Sequence, residues 1–186
     1  MKRIEAVRKL ASGGLVLLLA SSGIVAQETP AEKLAVRYQK LFAATSGIMV
    51  QVKQTCKTEE CQKITEEGLA LIVDAQDKYK KGELVGEERE QFHKHLESVL
   101  MRSINALKAK SAKASSISVP SCPADRLKNV QTTDCEFCDE VFHELVEICA
   151  LYLVVNPDAA LICFAAATLG YARCLHNSCS ANENTN

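Results

Sequence analysis

Six of the cysteines in this chain are placed symmetrically about one dipeptide, and no other feature restricts its fold as strongly. Cys138 and Cys149 are eleven positions apart, and so are Cys163 and Cys174. Eleven residues of α-helix make about three turns plus roughly 20°, so each pair shares a helix face. In an antiparallel helical hairpin, facing residues have a constant sum of numbers. Cys149 with Cys163 and Cys138 with Cys174 both sum to 312, which puts the turn at Asn156. Asn156-Pro157-Asp158 is independently a helix restart, because Asn is a favoured N-cap and Pro is tolerated in the first turn. Cys135 with Cys179 sums to 314, which fits fraying beyond the helix ends. Of the many pairings open to six cysteines, geometry therefore selects Cys149–Cys163, Cys138–Cys174 and Cys135–Cys179, nested like rungs.

The rest of residues 135–179 agrees with a hairpin. Thr133 and Glu136 have the spacing of a capping box. Phe137, Val141, Leu145, Ile148 and Tyr152 form an apolar stripe on the first helix. The second, from about Asp158 to Leu175, is almost wholly apolar until Arg173. A piece of about 45 residues buries little core of its own, and disulfides are the usual remedy.

Disulfides need an oxidising compartment, and the N-terminus supplies one. Lys2, Arg3, Arg8 and Lys9 precede an apolar stretch from Leu10 to Ala26. This is the pattern of a secretory signal over 1–26, with Ala26 at the −1 position and the larger Ile24 at −3. The competing reading is a retained anchor, since the stretch is near the lower limit for a span. No cysteine follows it closely, which argues against a bacterial lipoprotein. The expectation is an exported protein, secreted or periplasmic, whose thiols pair.

Three amphipathic helices are expected over 31–110. Their stripes are Leu34, Tyr38, Leu41, Phe42 and Met49; then Ile64, Leu71, Ile72, Ala75 and Tyr79; then Phe92, Leu96, Val99, Leu100, Ile104 and Leu107. Residues 111–134 open with SAKASSISVPS and read as a linker. The fold class is thus all-α: a small N-terminal helical bundle followed by a C-terminal disulfide-stapled antiparallel α-hairpin. Residues 31–113 carry 15 basic and 12 acidic side chains, whereas 135–179 carry Arg173 against six acids. Opposite signs favour docking of the hairpin on its own N-terminal bundle, though exposed charges contribute little individually. A net charge of −1 gives no indication of nucleic acid.

The remaining cysteines leave alternatives. Cys56 and Cys61 enclose four residues, and such a pair bonds only across a break in the helix; either residue is also a partner for Cys122. Nine is odd, so one thiol is left over, with Cys122 the first choice. Cys135, Cys138, His176 and Cys179 would gather at the open end of the hairpin as an alternative zinc set, at knuckle spacing. Export favours oxidation over that set, and no βαβ pattern makes Cys135-x-x-Cys138 a redox pair. His93 and His95 point to different helix faces and are expected in solvent. His143 lies among Asp139, Glu140, Glu144 and Glu147, a solvated face rather than a metal cluster. No phosphate-binding loop, HExxH or G-x-S-x-G occurs, so neither enzyme nor cofactor is expected.

Cys135-Glu-Phe-Cys138 opening an apolar, Ala- and Cys-rich segment, behind a signal, a helical region and a short linker, resembles halocin-like bacteriocin precursors. The resemblance covers residues 135–179 and implies a peptide released to act on a membrane or membrane protein, with the upstream helices as propeptide or immunity segment. The nested cysteines are also similar to saposin-like and twin-cysteine helix-hairpin modules, which implies an uncleaved, non-enzymatic interaction protein. The apolar contacts expected under either reading are Leu153, Leu161, Phe164 and Leu169.

Overall fold

The computed structural model describes residues 29–114 and 135–179, and all regular structure among them is helical. Helix α1 spans Pro30–Thr55, α2 Glu59–Lys80, α3 Gly86–Ala114, α4 Cys135–Val155 and α5 Pro157–Cys174. A π-helical turn, Leu175–Cys179, continues α5. The third helix therefore runs four residues into the segment expected to be linker. Thr133, Cys122 and the signal segment lie outside the described residues.

Local chemistry explains where the helices start. Thr29 caps α1 in a reciprocal box: Glu32 N–H donates to Thr29 Oγ1 at 3.2 Å, and Thr29 N–H donates to the Glu32 carboxylate at 2.8 Å. Pro30 supplies the preset φ of the first helical position. The chain leaves α1 at Cys56, and Thr58 caps α2 by accepting from Cys61 N–H at 3.3 Å. The Cys56–Cys61 disulfide spans this break. Gly82, at φ +73°, turns the chain out of α2 in the left-handed region that favours glycine. Asn156 caps α5, its side chain accepting from Ala159 N–H at 3.1 Å.

The helices form a ring of four: α1 packs on α2, α2 on α3, α3 on α5 and α5 on α1. Helix α4 lies outside this ring, against α5. One continuous core contains Leu41, Met49, Ile64 and Leu100 from the first three helices and Ile162, Leu169 and Tyr171 from α5. The hairpin is thus not a separate appendage, because its second helix is the fourth member of the bundle. Helix α5 suits a place surrounded on several sides: its alanines at 159, 160, 165, 167 and 172 are all buried, and their small side chains allow close approach.

The interior is close-packed. A Cβ on Gly68 would come within 2.6 Å of Met49 Sδ and 3.0 Å of Val99 Cγ1, so α2 meets α1 and α3 tightly there. Buried Thr45, Thr65 and Ser103 each donate to the carbonyl four residues earlier, at 2.9, 2.7 and 2.9 Å, which satisfies their hydroxyls without a partner helix.

Candidate interaction surface

Three disulfides join α4 to α5 and its terminal turn: Cys149–Cys163, Cys138–Cys174 and Cys135–Cys179, with Cα–Cα distances of 5.4, 5.7 and 5.3 Å. The first two join facing positions within the helices. The third reaches the π-helical turn, where the two-residue offset in its number sum is taken up. These bonds engage Cys135, Cys138 and Cys179 of the alternative zinc set, and the fourth member, His176, stacks against His93 instead.

Charged side chains then tie the hairpin to the bundle. Asp139 of α4 receives Arg37 Nε at 2.7 Å and Lys40 Nζ at 3.2 Å, both from α1, and the Tyr171 hydroxyl of α5 at 2.7 Å. Burial pushes the Asp139 carboxyl upward, but the hydrogen bonds from Tyr171, Arg37 and Lys40 outweigh it and hold it below the ordinary value. Burial, then the anionic Asp139, raises the Tyr171 phenol well above its usual range. The Tyr171 ring also stacks on Phe142, with centroids 4.4 Å apart. Lys33 reaches Glu136 at 2.7 Å, and Lys110 reaches Asp158 at 3.2 Å. Arg173 of α5 pairs with Glu97 of α3. The Arg37 side chain is only 9% exposed, so its pair is screened far less than Lys33–Glu136.

Helix α4 has a second, outward side. Glu140, His143, Glu144 and Glu147 are exposed along its first half, with His143 Nδ1 3.4 Å from Glu147. The last two turns change character: Leu151 is 73% exposed, Val154 86% and Val155 84%, with Ile148 and Leu153 beside them. Glu140, Glu144, Glu147, Leu151 and Val154 recur at alternating intervals of four and three, so acid and apolar residues share one helical stripe. Helix α4 contains no Lys or Arg. Its outer face therefore presents an acidic stretch running into an apolar end at the hairpin tip.

Of the expected apolar contacts, Leu153 is 37% exposed, Leu161 and Leu169 are buried and Phe164 is partly buried against the core. One sequence expectation needs correction. His93 is not solvated: it is 5% exposed, with Nε2 2.9 Å from the Tyr38 hydroxyl. A signal for this existed, since His93 stands three residues before Leu96 and seven before Leu100, on the apolar side of α3. His95 is half exposed and meets Glu67 at 2.9 Å; with Arg102 it lowers the Glu67 carboxyl. No sequence signal marked Arg37 or Tyr171 as partners of Asp139.

Comparison of the chain with protein-family models, with curated proteins and with solved structures finds no match.

Proposed function

We propose that this chain is an exported, non-enzymatic interaction protein that stays in one piece and docks a partner protein on the outer face of α4. The observation that carries this reading is the shared core. Thirteen residues of α5 are buried, most against the bundle or the other arm of the hairpin, so the hairpin is built into the protein rather than attached to it. Four disulfides in so small a helical protein are typical of exported chains and keep α4 presented on a rigid support. Val154 and Val155, largely exposed beside Leu151, have no role in the fold's own core. The partner that suits this face offers an apolar contact flanked by Lys or Arg, since the face is acidic and carries no Lys or Arg.

The precursor reading draws support from a different observation. Pro157–Cys179 is apolar and long enough to cross a membrane by length and composition, and 78% of that window is covered inside the protein. An upstream segment masking a membrane-active peptide would do the same. Intact mass spectrometry without reductant, on protein recovered from its export compartment, separates the two. The interaction reading expects an uncleaved mature chain two hydrogens lighter per bond, and a photo-crosslinker at position 151 or 154 that gives a discrete adduct. A fragment beginning between residues 111 and 134 would replace it with the precursor reading.

A further inference from the structure

His93 takes no part in the docking face, yet its surroundings are unusual. The ring lies 4.9 Å from the ring of His176, tilted by 34°, with Phe92 and Tyr38 against its edges at 5.3 and 5.8 Å. The Nδ1 atoms of both histidines are buried and have no hydrogen-bond partner. The groups around the pair come from several elements. Tyr38 of α1 holds Nε2 of His93, and Tyr79 of α2 stacks on Tyr38 at 5.3 Å. Arg89, 8% exposed and one turn earlier on α3, adds a positive charge near His93, and Glu90 lies within electrostatic reach of His176. From α5 come the Ala172 carbonyl and Arg173, the latter turned to Glu97. From α4, Asp139 is occupied by Arg37, Lys40 and Tyr171.

A proton on His93 therefore creates a cation in a buried place, facing the imidazole of His176 and near Arg89. Burial, then His176 and Arg89, holds His93 down to about 3, with the Ala172 carbonyl acting in the opposite direction. His176 belongs to the terminal turn that α5 runs into, so the stack is a junction between α3 and the free end of the hairpin. The disulfide rungs keep α4 and α5 together when that junction loosens.

We propose that the His93–His176 contact is an acid-sensitive latch, which holds the end of α5 and its terminal turn on α3 while the His93 ring is neutral and releases them when it takes a proton. The sign follows from linkage. A histidine lowered in the folded state binds its proton more readily once released, so the closed form is favoured above the ordinary value of about 6.5. That preference falls as pH drops toward the folded value. The Asp139 ion pairs hold to lower pH than an ordinary carboxylate would, so the α3 side opens before the α1 side. Release uncovers Leu175 and Ala172, now 1% and 2% exposed.

The test is hydrogen exchange by mass spectrometry on the full oxidised chain, at about pH 7 and about pH 4.5, corrected for intrinsic rates. Peptides from 168–179 are referred to peptides of α2. Protection of the C-terminal segment relative to α2 is expected to fall tenfold or more, with about a hundredfold as the linkage limit for one histidine. His93→Phe, which keeps the ring packing, removes the fall; His176→Gln, at a partly exposed position of the turn, reduces it and serves if the first variant does not fold. An unchanged ratio in the native chain overturns the latch. So does an undiminished fall in His93→Phe, because carboxylates would then be responsible.

Discussion

Nested disulfides make a prediction that isolated ones do not. Cys149–Cys163 and Cys135–Cys179 have sequence separations of 14 and 44. Taken singly, loop-closure entropy makes the inner bond worth about 3 kcal/mol and the outer about 4. Cys138–Cys174, at a separation of 36, changes both values. Deleting the inner bond only merges its loop with the rest of that 36-residue loop, because closure entropy grows with the logarithm of length. Deleting the outer bond frees only the eight positions by which 44 exceeds 36. Both losses then come to about 2.5 kcal/mol. Alanines in place of the buried Cys149 and Cys163 add roughly 1 kcal/mol for the space the sulfurs leave. The assay is urea denaturation at pH 7 without reductant, comparing Cys149→Ala/Cys163→Ala and Cys135→Ala/Cys179→Ala with the parent. The m-value should rise in both, since the unfolded chains are less restrained. An outer variant weaker than the inner by more than a further 1 kcal/mol would refute the nesting argument. So would an inner variant that loses less than about 1 kcal/mol.

Other consequences are simpler. Asn156→Ala removes the cap of α5 and should cost about 1 kcal/mol in the same denaturation assay. Gly68→Ala forces its new methyl against Met49 and Val99 and should destabilise by about 1–3 kcal/mol; a neutral result would mean that α2 shifts freely. Tyr171→Phe takes one donor from Asp139 and should cost about 1–2 kcal/mol at pH 7. The stabilisation carried by ionised Asp139 is complete above the ordinary carboxylate range and disappears as pH falls through its lowered folded-state value. The gap between Tyr171→Phe and parent melting temperatures should therefore narrow as pH falls below the ordinary carboxylate range. Leu151→Lys should leave stability within about 0.5 kcal/mol while abolishing the adduct formed by a crosslinker at position 154, because both side chains are largely in solvent.

The latch and the docking face occupy opposite ends of the hairpin. Leu151, Val154 and Val155 are at the turn, next to the inner rung, while His176 follows the middle rung at the open end. An acid-induced movement would thus tilt α4 as a stapled unit and alter the presentation of its tip without touching the residues of the proposed docking face.

Local and covalent features of this protein were legible in the residues alone. Helical periodicity marked the five helices, and Asn156-Pro157 with equal cysteine sums located the turn and register of the hairpin, because pairing across a hairpin is a one-dimensional problem. Charge arithmetic indicated that hairpin and bundle would attract, and Lys110–Asp158 and Arg37–Asp139 are where they do. Tertiary structure decided the rest. Helix α5 is apolar on nearly every side, so periodicity could not say which side faces α4 and which completes the ring with α1 and α3. That choice turned Leu153 outward, drew His93 against His176 and placed the Tyr171 hydroxyl beside Asp139. Each depends on packing between segments far apart in the chain, and no local spacing records which of several apolar sides a neighbour will cover.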